Sequence, residues 1–387
     1  VTPATWYVVA GNSDYYWRVM APARAIGAKV NAIPEDGWDK AISQPNDGDA
    51  FPWSLTEDGA EYPNHEGGSA VWALLDLSRA VHMRAMAAQG IRTVSEVDDN
   101  YLCDPRQNIF LRANGWDARR QVEHMKAVAS ADAMIVTTNA LRDIYYKRLR
   151  KQFGKRLVPP IHVCGNHVFL EDWPERIERD GPVRVGWMGS TSHVWDVDLA
   201  WPALLHARNE GCETILMGYN PADPQELTIS SDRAYAKLKQ WEKAVSRYIP
   251  WQQMDGTTRM QLPFDIGLCP LLHNHYTMGK SDIKALEYTI SGAAVVASAS
   301  PVYTENWIHG ETALLASSPQ EMLDYTDLLI RNPKLRERLV EAAQQYVREE
   351  RDLLKHANEW MEAVTGDSAV LQGVQSGDRQ VAVGSPG

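Results

Sequence analysis

The sequence predicts an α/β protein with two doubly wound parallel sheets, one per domain, facing each other across a cleft. Three observations predict it. Apolar runs rich in Val, Ile and Ala alternate with longer helical patterns, the rhythm of βα units. A charged stretch bounded by prolines, "LEDWPERIERDGP" (170–182), interrupts this rhythm, which then starts afresh. At 387 residues, 44% hydrophobic and 23% charged, the chain is too long for one ordinary core and suits two soluble domains.

In the first half, strands are expected at 5–10, 28–33, 91–97, 133–138 and 160–165. Helices are expected near 14–26, 69–89, 106–130 and 139–152. In "DAMIVTTNALRDIYYKRL" the apolar run ends at Thr137 and Thr138, and Asn139 opens the next helix. In the second half, strands are expected at 183–188, 213–218, 246–250, 264–270, 293–298 and 312–316, with helices near 194–209, 232–245, 279–291 and 318–331. The amphipathic pattern 333–364 reads as a long helix broken once. The expected domains are therefore 1–170, a linker at 171–182, and 183–335. Helices at 336–365 pack back on the first domain, and a flexible tail spans 366–387. Segment 34–68 shows no regular pattern, and loops of that length are often functional.

No stretch is long and apolar enough to span a membrane, and the first residues read as a strand and not a signal peptide. A cytoplasmic protein, at most peripheral to a membrane, is expected. Cys103, Cys164, Cys212 and Cys269 form no Cys-x-x-Cys pair, so they are expected as buried small side chains. The net charge of −11 argues against indiscriminate binding to polyanions. The segment Arg142 to Arg156 departs from that average, with seven basic residues and one acidic. It suits a solvated helix face, an anionic membrane surface or a nucleic acid.

The most informative stretch is "MGKSDIKALEYTISGAAVVAS", 278–298. On a helix, Lys280, Lys284, Glu287 and Ser291 fall within about 60° of one another, beside an apolar face of Ile283, Leu286 and Ile290. Positive charge in a first turn opposes the helix dipole by about 0.3–1 kcal/mol, and a bound anion reverses the sign. Amides, dipole and ammonium groups would then converge on a phosphate or diphosphate. Glu287, further along, suits the hydroxyls of a ribose. The competing reading is a Lys284–Glu287 surface pair. A second phosphate-facing turn is expected at "GWMGSTSHVWDVD" (186–198). There Gly189 permits close approach, Ser190, Thr191 and Ser192 offer donors, and a helix begins after His193. Neither segment matches a dinucleotide fingerprint or a Walker loop.

At these residues the chain resembles the two-Rossmann (GT-B) retaining glycosyltransferases grouped with sucrose synthase and the bacterial mannosyl- and glucosyltransferases. "DIGLCPL…GKSDIKALEYTISGAAVVAS" is similar to their donor-site signature, and "VRVGWMGSTSH" to the strand and glycine turn opening their second domain. "VSEVDDNY" and "ASADAMIVTTNAL" resemble the first domain of bacterial and phage members. The resemblance covers about 70–365. It implies two Rossmann-like domains and a nucleotide sugar, UDP- or GDP-linked, as substrate, with no tightly bound cofactor and no essential metal. Lys280 and Lys284 would neutralise the diphosphate, Glu287 would hold the ribose, and the turn at Gly189 and Ser190 would help at the phosphates. Ile249, Pro250 and Trp251, in "YIPWQ", would sit beside the base. One departure stands out: many members carry a second glutamate where this chain has Gly279.

Asp98 and Asp99 end an apolar strand at the edge where ligands bind. They suit cleft contacts to acceptor or sugar, a metal-binding pair, or a cap on the following turn. His65, His82, His167 and His193 are further candidates for contacts, and no zinc-hydrolase motif is present. The expected activity is transfer of a sugar to an acceptor hydroxyl with retention. The acceptor is open between a lipid-linked glycan, a protein and hydroxylated phage DNA. The alternatives are an epimerase of the same fold and a non-catalytic sugar-nucleotide-binding protein.

Overall fold

The computed structural model describes residues 4–9, 16–33, 54–56, 59–61, 68–73, 83–84, 86–108, 111–112, 115–172, 180–189, 193–218, 243–250 and 262–366. In the first half the strands are β1 (Ala4–Val9), β2 (Lys29–Ile33), β3 (Ser54–Thr56), β4 (Gly59–Glu61), β5 (Ser69–Ala73), β6 (Arg92–Val97), β7 (Ala133–Val136) and β8 (Ile161–Val163). The pair β3–β4 is an antiparallel hairpin within 34–68. The other six form a parallel sheet in the order β2-β1-β5-β6-β7-β8.

In the second half they are β9 (Arg184–Met188), β10 (Glu213–Gly218), β11 (Arg247–Pro250), β12 (Ile266–Cys269), β13 (Ala294–Ser298) and β14 (Leu314–Ala316). These also pair in parallel, in the order β11-β10-β9-β12-β13-β14. That is the doubly wound Rossmann order, with its switch point between β9 and β12, where ligands bind beyond the strand ends.

The element expected as a helix over 69–89 begins instead as the central strand β5. Ala70, Val71 and Trp72 are buried, as in a strand covered on both faces, and such a continuous apolar run cannot be told from a buried helix by its period. Of the helix expected over 106–130, the segment Ala118–Ala129 is a regular helix, where the Asp117 carboxylate accepts the Arg120 N–H, while 109–110 and 113–114 lie outside the described residues. The helix expected over 232–245 lies largely outside the described residues, as do most of 34–68, the linker core 173–179 and 367–387.

The long C-terminal pattern breaks between Pro333–Glu350 and Ala357–Thr365, around the short 3₁₀ turn Leu353–His356. The break has a cause in the first domain. The Val168 N–H donates to Arg351 O (2.7 Å) and the Leu353 N–H to Val168 O (2.8 Å), which pulls the backbone out of the helix. Helix Ala357–Thr365 then lies on the first sheet, where Trp360, Ala363 and Val364 share a core with Val71, Val94 and Ile135. All four cysteines are free and buried.

At the second sheet's switch point, Gly186 and Gly267 stand side by side in register. A Cβ at Gly186 would lie 2.1 Å from the Phe264 ring, and one at Gly267 2.2 Å from the Tyr288 ring. The missing side chains let helix Ile283–Ile290 settle on the sheet, where the Tyr288 hydroxyl accepts the Met188 N–H (2.9 Å).

Candidate functional site at the interdomain cleft

The segment before helix Ile283–Ile290 is built by local bonds. Asn274 and Thr277 exchange hydrogen bonds, and a 3₁₀ turn at Thr277–Gly279 follows. The helix therefore starts at Ile283, later than the expected 279. Lys280 is not in a first helical turn: it caps the 3₁₀ turn in extended backbone, φ −68° and ψ 161°. Only Lys284 sits in the first turn, so among the two lysines Lys284 alone opposes the helix dipole.

Lys280 crosses the cleft. Its Nζ lies 2.7 Å from Asp99 Oδ2, with the two side chains 18% and 14% exposed. The Tyr276 hydroxyl donates to the same oxygen (2.8 Å), and the ammonium stands 4.8 Å from the centre of the Tyr276 ring. Asp98, beside it at the end of β6, accepts the Tyr101 hydroxyl (3.3 Å). Asn100 Nδ2 donates to His275 O (2.6 Å), again between domains. Gly279 lies under this contact: a Cβ there would meet Asn100 Cβ at 2.9 Å and Leu141 Cδ1 at 3.0 Å. Domain contact thus fills the space a carboxylate at 279 would need.

Lys284 donates toward His193 Nε2 (3.3 Å). His193 precedes helix Val194–Asn209, and its Nδ1 lies 2.8 Å from Asp196 Oδ2, one turn on. Burial, then the Lys284 charge, push His193 down to about 4, so its ring is neutral near pH 7. Burial, then the neighbouring Lys280 charge, hold Lys284 below the usual lysine range. An anion placed between the lysines would offset the repulsion between their charges.

Glu287 is buried and accepts the Trp17 indole N–H (3.1 Å) from the first domain. Ser291 closes the same helix, and its hydroxyl accepts the Leu262 N–H (3.1 Å). Gly189 follows β9 and donates its N–H to Met217 O (3.0 Å). A Cβ at Gly189 would lie 2.6 Å from the Trp187 ring, so a glycine is required there. Ile249 and Pro250 lie on β11. Ser190, Thr191, Ser192, Trp251, His65 and His82 fall outside the described residues.

Several residues of this neighbourhood carried no sequence signal. Asp282, immediately before the helix, takes a two-pronged bond from Arg351 (2.7 and 3.0 Å) and the Trp307 indole N–H (2.9 Å). Arg351 also donates to Asn166 O (2.7 Å), and Asn166 Nδ2 to the Ser281 hydroxyl (2.7 Å). Asn166 is in turn held by Arg18 (3.1 Å), which pairs with Glu96 (2.6 Å) in the first sheet. Burial, opposed by Arg18, raises Glu96 to about 7. A chain of buried polar contacts therefore runs from β6 to the start of the helix.

Outside the cleft, His167, His356 and Glu359 come close enough to hold a cation. The two imidazoles are stacked 3.6 Å apart and 9° from parallel, so their in-plane lone pairs do not converge. Both His356 nitrogens already bond, to Glu359 and to Glu350 O. The basic segment lies on helix Asn139–Phe153 and the turn after it, with Lys147, Arg148, Arg150, Lys151, Lys155 and Arg156 exposed. Among the described residues no helix is long and apolar enough to cross a membrane.

This architecture, two Rossmann-like parallel-sheet domains meeting at their strand ends, is the GT-B glycosyltransferase fold. Residues 226–362 match the family model described as "Glycosyl transferase-like". No curated protein sequence matches the chain significantly. Among solved structures, Anabaena HepE in complex with UDP and glucose superposes with a TM-score of 0.61 at 12% identity, covering 94% of this chain and 99% of that one. Sucrose-phosphate synthase from Thermosynechococcus elongatus gives 0.60 at 13% identity, over 94% and 98%. S. aureus TarM, in complex with UDP and alpha-GlcNAc-glycerol, gives 0.53 at 14% identity. There the match covers 76% of this chain and 55% of TarM, so the chain spans about half of TarM's length. At these identities the likeness is one of fold.

Proposed function

We propose that this chain transfers a sugar from a UDP-linked donor to an acceptor hydroxyl, with retention and without an essential metal. The observation that carries the reading is the pair Lys280 and Lys284 at the second sheet's switch point, one facing Asp99 across the cleft and one paired to a neutral histidine. Two ammonium groups and the first-turn amides of helix Ile283–Ile290 would meet a diphosphate there. Charge grows on that diphosphate as the C1–O bond breaks, so fixed cations favour the transition state over the ground state. Glu287 would take the ribose hydroxyls, exchanging or sharing its bond to Trp17. HepE's complexes with UDP and UDP-glucose support the choice of uridine. Same-face attack, with the leaving phosphate taking the acceptor's proton, needs no protein nucleophile.

The acceptor would enter from the first domain, beside Asp98 and Asp99, and the exposed basic face of 139–156 suits an anionic acceptor carrier. Gly279 favours a second reading, donor binding without turnover, because no side chain at 279 can grip the sugar.

The test is calorimetric titration of UDP-, GDP-, ADP- and dTDP-sugars with and without EDTA. Selective binding of a UDP-sugar, indifferent to EDTA and weakened in Lys284→Ala by about 1.5–3 kcal/mol, is expected for loss of a charge-assisted bond. Equal affinity in a folded Lys284→Ala would overturn the assignment. Release of free sugar or transfer to an added acceptor would separate turnover from binding alone.

A further inference from the structure

We propose that Asp196 and His193 form a relay that fixes the imidazole tautomer and so positions the Lys284 ammonium for the donor diphosphate. The inference rests on the reading of Lys284 as a diphosphate ligand.

The geometry leaves one proton arrangement. Asp196 is 5% exposed, and a carboxylate can only accept. With Oδ2 at 2.8 Å from His193 Nδ1, the ring proton belongs on Nδ1. Nε2 is then a lone pair, 3.3 Å from the Lys284 Nζ, which can only donate. The opposite tautomer would set an N–H against an ammonium. The other Asp196 oxygen, Oδ1, accepts the Leu272 N–H (2.9 Å) from the loop between β12 and the lysine helix. One carboxylate therefore orients the ring and ties down the chain that carries Lys280 and Lys284.

The relay takes one of the three ammonium N–H groups and leaves two for phosphate oxygens. It does so without adding a positive charge, in a place where Lys280 already opposes Lys284 and where, among the described residues, Asp196, Cys269 and Glu287 also act on it. A charged ring at 193 would compete with the diphosphate's counter-ions for the same small space. The sequence motif is short, His-x-x-Asp on the first turn of helix Val194–Asn209, and Asp196 is a positioning residue with no contact of its own to the donor.

Asp196→Asn is the discriminating variant. The asparagine oxygen can still accept from Leu272, but its NH₂ faces Nδ1 and drives the proton to Nε2. Two readouts on the full chain decide the matter. Long-range ¹H–¹⁵N NMR at pH 7, with the His193 signals identified by their loss in His193→Gln, should show the Nδ1–H form in the wild type and the Nε2–H form in Asp196→Asn. Calorimetry with UDP should show at least tenfold weaker binding in Asp196→Asn under conditions where its circular dichroism shows it folded. In His193→Gln, whose side-chain oxygen can accept from Lys284, binding should return to within about threefold of wild type. An Nε2–H ring in the wild type overturns the relay, as does UDP binding indifferent to Asp196→Asn. Absence of UDP binding by the wild type itself marks a different failure, that of the donor reading, and the relay's role falls with it.

Discussion

Replacing Arg351 by Met removes one half of a buried ion pair that anchors the lysine-bearing segment. Arg351 and Asp282 expose 8% and 4% of their side chains, and their two bonds of 2.7 and 3.0 Å leave no room for water between them. In Arg351→Met, Asp282 keeps only the Trp307 indole N–H, and Asn166 O loses its donor. An unpaired buried charge of this kind costs about 3–5 kcal/mol. Asp282→Leu should cost a similar amount, because the guanidinium is then stranded. When both charges leave together neither is stranded, so Arg351→Met/Asp282→Leu should lose about 2–4 kcal/mol less than the sum of the single losses. Urea denaturation followed by tryptophan fluorescence gives all four corners of the cycle. Additive losses, or a single loss below about 1 kcal/mol, would refute the claim that this pair anchors the lysine-bearing segment.

Three further outcomes follow from the cleft. Asp99→Asn should tighten UDP binding about 5- to 30-fold, since Lys280 no longer holds a carboxylate that the diphosphate must displace; weaker binding would mean that Asp99 helps hold the donor. Gly279→Glu should destabilise the protein by about 1–3 kcal/mol without raising transfer activity, because its Cβ meets Asn100 and Leu141; a stable, more active variant would contradict the close domain contact. Stability should also depend on pH through His193. Its folded pKa, near 4, lies below the ~6.5 of an unfolded histidine, so the unfolded chain binds more protons between these values and stability falls as pH drops. Glu96, raised to about 7, acts in the opposite sense, and the cleaner measurement is therefore a difference. Between pH 6.5 and 4 the wild type should lose up to about 1.4 kcal/mol per pH unit more than His193→Gln, and parallel denaturation profiles would sink the idea.

Legibility in the sequence tracked how local each signal was. Eleven strands were readable because an apolar run between turn residues is a property of a few consecutive positions. The strand β5 was not, since "SAVWALLDL" leads on without a turn residue, and only its pairing with β1 and β6 makes it a central strand. The helix around Lys284 and Glu287 was legible from its period, but its start was not. Asn274 and Thr277 commit the preceding residues to a 3₁₀ turn, and Lys280 ends up beside the helix and not on it. His193 is legible from the glycine turn, and Asp196 from its spacing, since a separation of three residues on one helix turn brings the side chains together.

By itself the sequence determined the class of fold, the position of the switch-point strands, and the residues that bring positive charge to one short helix. These follow from local pattern, from glycines where rings must pass, and from the chemistry of lysine. Only the tertiary structure decided what that charge faces. Asp99 stands 181 residues from Lys280, Trp17 270 residues from Glu287, and Arg351 69 residues beyond Asp282. No local rule links such pairs. They meet because two sheets present their strand ends to each other, and because burial there favours charges that find partners.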